Sequence, residues 1–158
     1  MSLQIGDKAI HLTHGLGEIV RIEERIVRDH PTNCYVFCTP SLMTWIPMDD
    51  LQWHNLRMPI PPEEFSKFFD ILTAPSEKLL DDRELRKDQL LAQLKDGQLA
   101  SIFRVVRDLT NYKRSNKLND WEKSTLELAT NSILTEWTFS MGMTLDQAQL
   151  AMTSLLGE

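Results

Sequence analysis

Along the first third of the chain, apolar residues come in short runs separated by turn formers. "KAIHL" (8–12) is followed by "THGLG", and "EIVRIEERIV" (18–27) by "RDHPTN". "CYVFCT" (34–39) ends at Pro40-Ser41, "LMTWIP" (42–47) closes at Pro47, and "DLQWH" (50–54) offers a short fifth segment. Runs of this length, rich in β-branched and aromatic residues and bounded by Gly, Pro, Asn and Asp, predict strands. Four or five short strands with tight turns predict a small, partly closed antiparallel barrel.

The period then changes. Pro59, Pro61 and Pro62 interrupt the strand pattern, and Glu63 and Glu64 follow, as acidic residues do in a first helical turn. Phe65, Phe68, Phe69 and Leu72 recur at helical spacing until Pro75. Further helices are predicted from about Asp81 to Lys95, stopped by Asp96-Gly97, and from Leu99 to about Arg114, with Ile102, Val105, Val106 and Leu109 on one face. A fourth starts with Asn119 or Asp120 as N-cap and runs to about Met141. The last opens on Thr144, with Gln147 three residues on, and ends at Gly157. The expected architecture is α+β: a β-domain over 1–56, a Pro-rich linker over 57–62 and an all-α domain of about five helices over 63–158.

Composition narrows the class. With 42% hydrophobic and 25% charged residues, the 158-residue chain is expected to fold. No apolar run reaches membrane-spanning length, and "MSLQIGDK" lacks the basic and apolar regions of a secretory signal, so a cytoplasmic location is expected. Net charge is −6, which argues against a general nucleic-acid binder. Its distribution is uneven: residues 83–117 hold nine Lys/Arg and four Asp/Glu, a local +5, leaving −11 on the rest. Such a segment is either a contact surface or a solvated helix face.

Candidate chemistry is sparse. "HGLG" has two glycines between strands and no following helix for an anion. The four histidines show no i, i+4 metal-ligand pair, and no Gly-x-Ser-x-Gly elbow occurs. Asp49-Asp50 and Asp81-Asp82 read as turn and helix-start residues. Cys34 and Cys38, four apart in a strand, have poor disulfide geometry and read as buried thiols; a two-Cys metal site aided by His30 or His54 is the weaker reading. The expectation is a binding protein rather than an enzyme, with no cofactor, no metal and no small-molecule substrate.

Two sets of motifs carry a resemblance. "IGDKAIHLTHGLGEIVRIEERIV", with "WIPMDDL" some twenty residues on, resembles the RNA-polymerase-interacting domain of CarD, CdnL and the transcription-repair coupling factor. Gly6-Asp7 would open the first strand, and Gly15 and Gly17 would make the turn into the second, where tight turns need positive φ. "LLAQLKDGQLASIFRVVRDL" and "LNDWEKSTLELATNSILTEW" resemble the helical half of the stand-alone CarD/CdnL proteins, and no helicase motif of the coupling factor is present.

The resemblance implies a Tudor-like β-domain docked on the β subunit of RNA polymerase. It also implies a helical domain touching promoter DNA near the upstream edge of the transcription bubble. Carried over residue by residue, it places polymerase contacts at Arg25, Val27 and Trp45. Trp45 stands where the CarD branch often has Arg; it is either an interface anchor or a residue packed on the helical domain. It places DNA contacts at Arg83, Arg86 and Lys87. Arg83 occupies the position of the family's minor-groove wedge Trp, and Asp81, Asp82, Glu84 and Asp88 interleave. Promoter contact is therefore expected to be weak and dependent on polymerase. The alternative is a polymerase-binding adaptor without DNA engagement.

Overall fold

The computed structural model describes residues 3–11, 14–48, 56–96 and 98–158. The chain divides into two compact units, Met1–Pro59 and Ile60–Glu158. The fifth strand expected over 50–54, the Asp49-Asp50 turn, His54 and Gly97 lie outside the described residues.

The first unit is a four-stranded antiparallel meander: β1 (Lys8–His11), β2 (Gly15–Val27), β3 (His30–Thr39) and β4 (Leu42–Pro47), in the order β1-β2-β3-β4. The sheet curls into a half-barrel over Leu3, Ala9, Ile19, Tyr35, Phe37, Ile46 and Leu56. Ile10 and Arg57 exchange backbone hydrogen bonds beside β1, and the Tyr35 hydroxyl donates to the Leu3 carbonyl at 3.0 Å.

Three local features depart from the sequence reading. "RDHPTN" is mostly strand: β3 already starts at His30, and the turn is Arg28-Asp29 alone. Both residues take positive φ, 51° and 67°, the left-handed pair that a two-residue hairpin turn requires. Polar composition suggested a loop, yet strand pairing overrode it. Gly15 does sit at φ 77°, but Gly17 does not need positive φ. A Cβ there would stand 2.5 Å from the Cys38 carbonyl oxygen and 2.5 Å from the Phe37 ring, so Gly17 permits close packing of β2 on β3. Finally, β2 carries a bulge between Ile19 and Arg21. Ile19 lies opposite Phe37 but Arg21 opposite Val36, so residues two apart in sequence point to opposite faces. Beyond the bulge, Arg21, Glu23, Arg25 and Val27 share the outer face.

In the second unit the expected first helix is broken. It runs as α1 (Pro62–Phe65), a 3₁₀ turn (Ser66–Phe68) and α2 (Phe69–Thr73). The tighter turn serves the aromatic cluster. Phe65 is fully buried against Phe68, Phe69, Phe103 and Trp137, with Phe68 stacked on Phe103 at 5.5 Å and Phe69 on Trp137 at 4.5 Å. Then follow α3 (Arg83–Leu94), α4 (Leu99–Ser115), α5 (Asp120–Met141) and α6 (Leu145–Leu156). Their starts obey the expected chemistry. Asp82 caps α3, and Asn119 with Glu122 and Thr144 with Gln147 form complete capping boxes. Gly142 and Gly157 end α5 and α6 in the left-handed conformation.

"VVRDL" owes its form to the core. All five residues, 105–109, are buried. Arg107 bonds Asp108 at 2.9 Å and reaches the Ile71 carbonyl, while Asp108 accepts from the Glu77 amide. One polar pair in α4 thus ties down both α2 and the middle of the segment that leads to α3. Among the described residues, no helix is long and apolar enough to cross a membrane.

Candidate partner-binding surfaces

On the outer face of the first unit, strand register brings Arg25 and Trp45 together although they are twenty residues apart. Trp45 lies opposite Val36, and Glu23 opposite Cys34, one diagonal step away. The Trp45 indole N–H donates to Glu23 Oε2 at 2.7 Å. The Arg25 guanidinium lies over the indole, 4.1 Å from the ring centroid. Arg21 bonds the other carboxylate oxygen at 2.5 Å, and Arg25 stands 3.6 Å from Glu23. The bond from Trp45 comes first in holding the Glu23 carboxyl below its ordinary value, and Arg21 adds to it. Glu23 is the hub of this surface, and the resemblance did not point to it. Its signal was the alternation Arg21-Glu23-Arg25, with charges +, −, + on one strand face.

The arrangement presents a flat aromatic with a cation fixed above it. Half of the Arg25 side chain remains exposed, so its fork retains donors toward solvent. Val27, at the end of β2 opposite His30, shares the face but sits next to the hairpin turn, half-buried. Beneath, Cys34 and Val36 are buried, whereas Cys38 is half-buried; neither cysteine is in a disulfide. Among the described residues no cluster of three or more His, Cys, Asp or Glu could hold a metal ion.

On α3 the three expected DNA contacts separate. Arg83 and Lys87 are exposed and lie one turn apart. Arg86, by contrast, is 7% exposed and its donors are used inside the unit. Its Nε and one terminal nitrogen grip both oxygens of Glu122, at 2.8 and 3.3 Å. The other terminal nitrogen donates to the Leu80 and Asp81 carbonyls, and the guanidinium lies 4.9 Å from the centre of the Tyr112 ring. Glu122 is itself a member of the α5 capping box. Burial pushes its carboxyl up, yet bonds from Arg86 and the Asn119 amide outweigh this and hold it below the ordinary value. The bond to Glu122 in turn raises the Arg86 pKa, against the effect of burial.

Sequence showed a basic residue amid acidic ones on an amphipathic helix. It could not show that the carboxylate belonging to Arg86 lies thirty-six residues later. A further aromatic was also missed: Trp121 packs at the edge of the core, with Lys87 Nζ 5.3 Å from its ring centroid. Arg83, Lys87 and Trp121 line a notch of about 50 Å³.

The family model described as "CarD, C-terminal domain" matches residues 67–153, more than half of the chain. The chain belongs to the CarD family of transcription regulators. It is 27% identical over 144 residues to the "Putative transcription factor YdeB" of Bacillus subtilis (strain 168), covering 89% of this chain and 94% of that protein. The CarD match takes in the broken end of the first helix, the "VVRDL" core and the capping box of α5, the elements that build the second unit.

Proposed function

We propose that this CarD-family protein regulates transcription in the cytoplasm by docking its β-unit on the RNA polymerase β subunit, with Arg25, Val27 and Trp45 in the contact. The observation that carries the reading is the Arg25–Trp45 stack, locked by Glu23. Arg and Trp are the side chains most often found as interface anchors, and holding both in place before contact lowers the entropy lost on binding. The role is binding rather than catalysis.

In the same proposal the helical unit touches promoter DNA near the upstream edge of the transcription bubble and modulates open-complex stability. Arg83 and Lys87 are the cations that α3 offers for this, without Arg86. With Asp81, Glu84 and Asp88 nearby, the contact is weak, directed at phosphates and dependent on tethering to polymerase. An adaptor without DNA engagement is the second reading, and the burial of Arg86 favours it.

The test measures open-complex lifetime on one promoter with intact polymerase. Arg83→Glu with Lys87→Glu should shorten it, and Arg83→Trp, which supplies an apolar wedge, should lengthen it. If neither variant alters the lifetime while Arg25→Glu abolishes polymerase binding, the adaptor reading stands.

A further inference from the structure

One sizeable cavity of the second unit lies on neither of these surfaces. It is a groove of about 500 Å³ between the end of α4 and the start of α5. Lys113, Lys117 and Lys123 rim it, Leu118 and Leu126 form part of its floor, and Glu127 is its one lining carboxylate. Among the described residues none of the three lysines is in an ion pair. A second groove of about 410 Å³ shares Lys113, Leu126, Thr130 and Asn131 with the first, so the two form one trough. Leu134 and Met152 continue the apolar lining toward α6.

We infer that this trough binds an acidic, amphipathic helical segment of a partner protein. Three observations favour this occupant. From Lys123 to Leu134 the trough follows α5 for about 16 Å, three turns of a helix laid alongside. Its apolar floor suits residues at i, i+3 and i+4 of such a helix. Its cationic end, three lysines against Glu127, requires carboxylates on the partner. Duplex DNA presents phosphates on a ridge and brings no apolar side chain to fill the leucine floor. The inference is independent of the proposed contacts at Arg83 and Lys87, which line a different cavity.

The experiment uses the full chain and three fluorescent probes. Two are sixteen-residue amphipathic helices, one of Leu and Glu and one of Leu and Lys; the third is a 20-base-pair duplex. The Leu/Glu peptide should bind at least tenfold more tightly than the Leu/Lys peptide. Charge reversal at three exposed positions, Lys113→Glu, Lys117→Glu and Lys123→Glu, should weaken it at least tenfold without loss of fold. Thr130→Trp, which fills the trough and leaves the lysines in place, should weaken it as well. Equal binding of the two peptides, or undiminished binding to the charge-reversed variant, overturns the inference. So does a result in which the duplex alone binds and is lost on charge reversal.

Discussion

Two constellations in this protein use the same chemistry in opposite ways. On the sheet, Arg25, Glu23 and Trp45 join a guanidinium, a carboxylate and an aromatic ring; between the helices, Arg86, Glu122 and Tyr112 do the same. The first arginine side chain is 50% exposed and the second 8%. Exposed, the group is a surface held ready for a partner. Buried, every donor of the arginine is turned inward and the group becomes a strut between the start of α3 and the start of α5. Residue type thus says little about role, and position relative to the core decides it.

The comparison breaks most visibly if the buried set is cut. Arg86→Ala leaves the Glu122 carboxylate in the core without its cation and should cost about 3–5 kcal/mol in denaturant unfolding. The corresponding Arg25→Ala should leave stability within about 0.5 kcal/mol of wild type, as surface substitutions do. Binding inverts the order. Arg25→Glu or Trp45→Ala should weaken capture of a polymerase β-lobe fragment by about 2 kcal/mol, roughly thirtyfold. Unchanged binding by both folded variants would remove the docking proposal.

The two carboxylates also sharpen the contrast through pH. Glu122 is held below its ordinary value of 4.5, so its contribution to stability is complete above that value and is lost as pH falls beneath it. Stability of wild type and Glu122→Gln, measured from pH 7 down to pH 3, should therefore converge toward the acid end. At the hairpin, Arg28→Asn with Asp29→Gly suits the left-handed turn and should add on the order of 1 kcal/mol, read in thermal unfolding. The smallest effect is expected at Glu23. Trp45→Phe keeps a ring but removes the indole donor, and NMR titration should find the Glu23 pKa moved back up toward its ordinary value.

What was legible from sequence follows the same division. Helix boundaries set by local chemistry were readable: Asn119 and Thr144 cap the helices they were expected to open, and Met141 ends α5. The family was readable too, from "GDK…HGLG", "VVRDL" and "LNDWEK". Features fixed by distant partners were not. The 3₁₀ turn at Ser66–Phe68 reflects Phe103 and Trp137, and the burial of Arg86 reflects Glu122. The role of Gly17 reflects Phe37 across the strand pair. Glu23 was passed over because a charged residue within a charged strand has no visible partner until register supplies Trp45.

The single extra residue between Ile19 and Arg21 carries a consequence for how this chain can vary. It acts as a phase shift: apolar alternation up to Ile19 is written for one side of the sheet, and the charged alternation from Arg21 onward for the other. Deleting Val20 would heal the bulge and leave both stretches on their present faces, because Ile19 and Arg21 would become neighbours that alternate as in a regular strand. Ile19 would keep its place opposite Phe37 and Arg21 its place opposite Val36, with regular pairing between them. Point substitutions at the exposed positions of β2 can thus retune a binding surface freely. Loss of one residue at this one point can be absorbed as well, because the bulge holds a residue of β2 that has no partner on β3.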